Sequence, residues 1–253
     1  MLRITELRLP LDHPEEELRK AVVTRLGVSS ADLLNYSVFR RAWDARKKSA
    51  IKLIYTIDAE VRDEARVRAR LKDDRHVNPA PDTTYRFVAR APERVEKRPV
   101  VIGTGPCGFM CALVLAQMGF RPIVLERGRV VRQRTKDTWG LWRRGVLDPT
   151  SNAQFGEGGA GTFSDGKLHS GISDPRHHGR KVLTEFVKAG APEEILYVSK
   201  PHIGTFRLVT VVENVRAEIE ALGGEYRFGT KVVDLDIADE GNGKRHVRGV
   251  VLE

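Results

Sequence analysis

Long apolar runs are missing from this chain, and no stretch approaches the ~18 to 20 residues that a membrane-spanning helix needs. The longest candidate, residues 109–120, is broken by Gln117 and Gly119. The opening residues, MLRITELRLPLDHPEEE, lack the apolar core of a secretory leader, so the expected compartment is the cytoplasm. Cysteine is scarce. The two present, Cys107 and Cys111, lie four apart within one expected helix, where Cα atoms stay near the upper limit for a disulfide. They read as two small buried hydrophobes, with a redox pair as the alternative. Metal-ligand spacing is absent as well: His177 and His178 are adjacent, point apart on a helix or strand, and have no third ligand nearby, so no metal is expected.

What is present suffices for a folded core. The 253 residues are 41% hydrophobic and 30% charged, which fits one large domain or two ordinary ones. The formal charge is +9 and the pI about 9.7. Residues 1–97 carry 21 Lys/Arg against 16 Asp/Glu, and the remaining 156 residues carry 22 against 18. The excess is denser in the N-terminal third without forming a tail, as a solvated basic surface would be; an RNA-binding face is the alternative.

Patterning divides the chain near residue 92. Leu2, Ile4, Leu7 and Leu9 fit a strand. Asp12 is placed to cap a helix over residues 14–26 whose first turn holds Glu15, Glu16 and Glu17, where the helix dipole favours anions, and Gly27 ends it. Two strands over residues 36–43 and 49–61 flank the basic turn Asp44-Ala45-Arg46-Lys47-Lys48. In the second, Ile51, Leu53, Tyr55 and Ile57 alternate with Lys52, Ile54, Thr56 and Asp58, giving one cleanly buried face. A short charged helix over 63–71 and a last strand over 84–88 complete the order βαββαβ, a ferredoxin-like α+β module over residues 1–92. Pro92 and Pro99 bracket a linker over 91–98. Beyond it, Val100-Val101-Ile102 reads as a parallel strand covered on both faces, followed by a glycine turn, an apolar helix over 106–118 and a second strand over 122–125. A helix over 211–222, with Val212, Val215, Ile219 and Leu222 on one face, precedes strands over 225–228, 231–237 and 246–252. The last of these breaks off in mid-meander, so the chain is expected to be the N-terminal part of a longer protein.

Gly103-Thr104-Gly105-Pro106-Cys107-Gly108 fits G-x-G-x-x-G between a strand and a helix. Gly103 permits the tight turn, Gly105 lets the backbone approach a pyrophosphate, and Gly108 lets helix and strand pack closely. Pro106 starts the helix, where its missing N–H is no loss, and the helix N-terminus offers free N–H groups to phosphate oxygens. Glu126 follows 18 residues after Gly108, at the end of the second strand. A carboxylate there accepts bonds from ribose hydroxyls and repels a 2′-phosphate, which favours FAD or NAD over NADP. This is the pattern of a Rossmann-type dinucleotide-binding domain over residues 98–253, incomplete at its C-terminal end. A second glycine cluster, Gly156, Gly158, Gly159, Gly161 and Gly166 within QFGEGGAGTFSDGKL, begins 30 residues after Glu126. Such a loop brings backbone N–H groups close to a ligand. An NAD site has no need of it, whereas FAD lies extended and its ring end must be covered.

Together with Arg134-Thr135-Lys136-Asp137, Lys200-Pro201-His202-Ile203-Gly204-Thr205 and Leu222-Gly223-Gly224-Glu225, that loop resembles the uncharacterised FAD-dependent dehydrogenases of bacteria, two-dinucleotide-binding-domain flavoproteins with an N-terminal ferredoxin-like extension. The resemblance covers nearly the whole chain. It implies that Gly103, Gly105, Pro106 and Gly108 hold the pyrophosphate of FAD, Glu126 the adenosine ribose, and that Arg127 flanks the adenine. It further implies that Gly156, Gly158, Gly159, Ala160, Gly161 and Thr162 run along the flavin side, and that Val232 meets the adenine through its backbone. Relatives with disulfide-reductase chemistry carry a Cys pair after the ribose acid, and none stands there. Catalytic residues are not identifiable. Lys167, the loop's one long cation, is either beside the flavin ring or a solvent-facing lysine. His169 and His202 are acid–base candidates without an orienting partner legible in sequence.

The expected activity is that of an FAD-dependent oxidoreductase whose flavin accepts a hydride from a small-molecule substrate or NAD(P)H, with no membrane partner. One alternative is an RNA-directed flavoprotein, in which Arg40, Arg41, Arg46, Lys47 and Lys48 interleave with Tyr36, Phe39 and Trp43 to stack on bases. Another is a non-redox protein that senses or stores the dinucleotide.

Overall fold

The computed structural model describes residues 1–241 and 243–253 and divides them into two units that interleave along the sequence. The first comprises Met1–Thr84, His169–Arg180 and Glu193–Pro201; the second comprises Tyr85–Leu168, Lys181–Pro192 and His202–Glu253. A single boundary near residue 92 describes chain order only. The return of 169–180 and 193–201 to the first unit rests on long-range contacts that periodicity does not encode.

In the first unit, β1 (Leu2–Pro10), α1 (Glu15–Leu26), β2 (Leu33–Asp44), β3 (Lys52–Val61), α2 (Glu64–Arg70) and β4 (Val77–Pro79) build an antiparallel sheet of order β2-β3-β1-β4. Alternation in β3 turns Leu53, Tyr55, Ile57, Ala59 and Val61 inward, against Leu18, Val22 and Leu26 of α1. Burying one such side chain stabilises by roughly 1.5–3 kcal/mol. Asp12 does not cap α1. Pro14 holds the cap position without a side-chain bond, so the three glutamates of the first turn supply the favourable charge there. Gly27, at φ 60°, ends the helix as expected. The fourth strand lies at Val77–Pro79 and not at 84–88, because Leu2 and Ile4 of β1 pair with Pro79 and Val77. Tyr85 and Phe87 instead stack edge to face at 5.2 Å in the second unit.

The second unit holds β5 (Val100–Ile102), α3 (Pro106–Gln117), β6 (Ile123–Glu126), α4 (Val131–Arg144), most of α5 (His178–Lys188), α6 (Thr205–Ala221) and β7 (Glu225–Phe228). Its sheet is parallel throughout, in the order β5-β6-β7. β8 (Val232–Asp239) and β9 (Arg245–Leu252) form a separate antiparallel hairpin. The fold is therefore mixed α/β. α3 buries Phe109, Ala112, Leu113 and Ala116, a stripe at helical spacing. Cys107 and Cys111 fall off that stripe and are exposed free thiols, which corrects the expectation that they are buried. Val100 and Ile102 are also exposed. They share one face of β5, which nothing covers among the described residues, while Val101 points to the opposite, covered face; this corrects the expectation of a strand covered on both faces. No helix is long and apolar enough to cross a membrane among the described residues.

Candidate functional site

The site is built where β5 ends. Gly103 takes φ 85°, Gly105 caps α3 in extended conformation, and Pro106 opens the helix. The first-turn N–H groups of any helix lack partners further back and point outward along the axis. A methyl group placed on Gly103 or Gly105 meets nothing within 4 Å, so both backbones face open space. Gly108 is different: a Cβ there would lie 2.0 Å from the Gly103 carbonyl oxygen, which ties close packing of helix on strand to glycine.

Glu126, at the end of β6, is buried and reaches into this turn. Its Oε2 accepts from the Thr104 N–H at 2.8 Å and from the Thr104 hydroxyl at 2.6 Å, and its Oε1 accepts from the Gly128 N–H at 2.8 Å. The acid one strand over and the glycine turn are thus one hydrogen-bonded assembly. A carboxylate has about four lone-pair sites, so three protein donors leave it able to accept from a ligand.

The second glycine loop closes against the first. The Gly158 N–H donates to the Thr104 carbonyl at 3.0 Å, and a Cβ on Gly159 would lie 2.9 Å from the Gly105 Cα. Between them lies a cavity of about 270 Å³. Of the residues singled out in sequence, Gly103, Gly105 and Glu126 line it from one side and Gly156 and Gly159 from the loop. Arg127 and Val232 also line it. The Arg127 guanidinium lies over the Phe155 ring, 3.9 Å from its centroid. Pro106, Gly108, Gly158, Ala160, Gly161 and Thr162 lie outside the lining. Ala160, Gly161 and Thr162 form a 3-10 turn with Phe163, and Thr162 is buried. Sequence reasoning passed over Thr104, Gln154, Phe155, Thr230 and Lys231, which line the cavity too. For Gln154 and Phe155 the signal was their place at the head of the glycine loop; for Thr230 and Lys231 there was none.

Two buried charges support the loop. Glu157 accepts from the Val131 N–H at 2.6 Å, at the start of α4. Arg216 Nε lies 2.8 Å from Glu157 Oε1, an ion pair by distance whose N–H is not aimed at the oxygen. Burial pushes the Glu157 carboxyl above its usual range, against the pull of Val131 and Arg216. Arg134 is wholly buried beneath the loop, and burial lowers its pKa to about 10, leaving it a cation at neutral pH.

The acid–base candidates separate. Lys167 and His202 are joined by an antiparallel backbone bridge. Asp165 Oδ2 stands 3.5 Å from Lys167 Nζ and 3.9 Å from His202 Nε2, in a cluster at least half exposed. His169 belongs to the first unit. Among the described residues, no group of three or more His, Cys, Asp or Glu is arranged to hold a metal. In the first unit, Phe39 packs under Arg3, 3.5 Å from its guanidinium, with Arg180 at 5.0 Å. Arg41 lies over Tyr197, and Arg46 is bound by Asp44.

Residues 1–60 match a family described as a domain of unknown function, DUF8436. An uncharacterized protein of Clostridium beijerinckii is 40% identical over 238 residues, which is 94% of this chain and 44% of that protein. The chain thus spans less than half the length of the curated relative it matches. Among solved structures, that of Thermovibrio ammonificans THI4 matches with a TM-score of 0.36 and 18% identity, over 62% of this chain and 47% of that one. A TM-score of this size does not establish a shared fold.

Proposed function

We propose that this chain is the dinucleotide-binding part of an FAD-dependent oxidoreductase, with a ferredoxin-like module at its N-terminus. The module is supported by the βαββαβ order and the β2-β3-β1-β4 sheet. One observation carries the cofactor reading: the Glu126 carboxylate is bonded to Thr104 inside the glycine turn, beside a cavity that both glycine loops line. That cavity lies against the glycine turn, where the ADP half of the cofactor would rest. In this reading Gly103, Gly105, Pro106 and Gly108 shape the cradle of the diphosphate, and free main-chain N–H groups at the start of α3, beyond Pro106, donate to it. Glu126 accepts from a ribose hydroxyl, Arg127 flanks the adenine, and the backbone of Val232 meets its edge. The loop over 156–162 runs on toward the flavin. FAD, when bound, supplies the two-electron acceptor for a hydride from a small-molecule substrate or NAD(P)H; the chain's own part is to bind, orient and exclude water.

Calorimetric titration of the 253-residue chain with FAD, ADP and 2′-phospho-ADP tests this reading. FAD and ADP are expected to bind, and 2′-phospho-ADP at least about 10-fold more weakly, because Glu126 repels the added phosphate. Absence of binding by both FAD and ADP overturns it.

A further inference from the structure

Arg134, on α4, is the largest wholly buried side chain of the molecule among the described residues, and it ends on no carboxylate. Its Nε donates to the Asn152 carbonyl at 2.8 Å, one terminal nitrogen to the carbonyls of Glu157 at 2.6 Å and Gly159 at 2.8 Å, and the other to that of Ala153 at 3.0 Å. The two carboxylates whose charge it feels, Glu126 and Glu157, spend their oxygens on other partners. Taking a guanidinium out of water is unfavourable, and an apolar side chain of like volume would fill the space at less expense. What an apolar side chain could not do is collect four carbonyls with one planar fork of donors.

Those carbonyls belong to the stretch that forms the loop wall of the cavity, where Gln154, Phe155, Gly156 and Gly159 face inward. Turning the carbonyls toward Arg134 sets the peptide planes from 152 to 160. Gly156, at φ 115°, crosses the arginine so closely that a Cβ would stand 2.5 Å from Arg134 Cδ. On the other side, the loop meets the first glycine turn through Gly158 and Gly159. The wall is therefore clasped between Arg134 and Gly105. Arg134 itself does not line the cavity.

We propose that Arg134 is a positioning residue: it holds the 152–159 wall against the glycine turn and so sets the affinity for the ADP moiety without touching it. This rests on the dinucleotide reading above. The test compares Arg134→Met, Arg134→Lys and Gly156→Ala with the unaltered chain by two measurements, backbone hydrogen exchange without ligand and ADP affinity. In Arg134→Met, exchange over 152–160 should rise about 10-fold with that of α1 and α3 unchanged, and ADP should bind about 10-fold more weakly. Arg134→Lys should fall between, about 3-fold, since an ammonium has three donors and no fork. Gly156→Ala should move both readouts in the same direction from the other side of the contact. A purely structural role would raise exchange throughout the second unit. Wild-type loop exchange in Arg134→Met overturns the proposal, and so does loosened exchange with unchanged ADP affinity. Should Arg134→Met fail to fold, wild-type behaviour of both Arg134→Lys and Gly156→Ala overturns it equally. If the unaltered chain binds neither FAD nor ADP, the dinucleotide reading fails, while the exchange measurements still decide whether Arg134 holds the wall.

Discussion

Buried polar groups divide the two units more sharply than any other property. Thr104, Glu126, Arg134, Thr138, Ser151, Asn152, Glu157, Thr162 and Glu185 are buried, and all nine belong to the second unit. The first unit, among the described residues, buries only apolar side chains and Tyr55, whose hydroxyl meets His13 at 2.9 Å. An apolar core requires no explanation beyond removal of carbon from water. A core that sequesters two glutamates and an arginine around a cavity places donors and acceptors at a desolvation penalty, and functional sites are where such penalties persist. The difference teaches where the chemistry of this chain resides.

Paired substitutions separate the two cores. Ile57→Ala, at a fully buried site of the first unit, should cost about 4 kcal/mol in thermal or urea unfolding and leave ADP affinity of the folded protein unchanged. Gly108→Ala should cost about 3 kcal/mol, through the clash with the Gly103 carbonyl, and abolish ADP binding. Lost affinity in Ile57→Ala, or retained affinity in Gly108→Ala, breaks the comparison. A smaller loss is expected for Glu126→Gln. One end of the amide must face the N–H of Thr104 or Gly128 with an NH₂ group, a repulsive contact worth about 2 kcal/mol. ADP affinity should drop about 10-fold, and calorimetry that finds it unchanged removes Glu126 from the site.

The smallest effect is a pH dependence of opposite sign at two buried glutamates. Burial alone would raise Glu185, but hydrogen bonds from Lys181, Lys188 and Gln117 outweigh it and hold the carboxyl below its ordinary value. Its contribution to stability is therefore present above the ordinary carboxylate value and lost as pH falls through the lowered one. Glu157, raised by burial, behaves in reverse: its contribution is full below the ordinary value and is lost as pH rises through the raised one. In unfolding free energy followed from about pH 3 to about pH 8, the acid limb should be shallower in Glu185→Gln, and the decline above the ordinary carboxylate value shallower in Glu157→Gln, than in the unaltered chain. Profiles parallel to that of the unaltered chain would refute the assignment.

Local spacing made part of this architecture legible. The alternation of Leu53, Tyr55 and Ile57, the helical stripe of α1, and the strand–turn–helix around Gly103, Gly105 and Gly108 all sit within one element or its neighbour. α4 is not legible because VRQRTKDTWGLWRR is polar, carries Gly140 in its second half, and buries Arg134, Thr138 and Gly140 beside a lone apolar Val131. Its worth lies in Arg134, whose partners stand 18 to 25 residues away. Cys107 and Cys111 were misjudged for the converse reason: composition marked them as buried, and the rotation of α3 turned them outward.

By itself the amino-acid order determined the elements with a clean apolar period, where glycine is indispensable, and that an acid follows the glycine turn by one strand, because those properties depend on near neighbours and on backbone sterics. Only the tertiary structure decided that Glu126 bonds to Thr104, that the second glycine loop closes on the first, and that segments 169–180 and 193–201 return to the first unit. Those are contacts between distant residues. Their energy comes from desolvated hydrogen bonds and packing that exist only once the chain has folded.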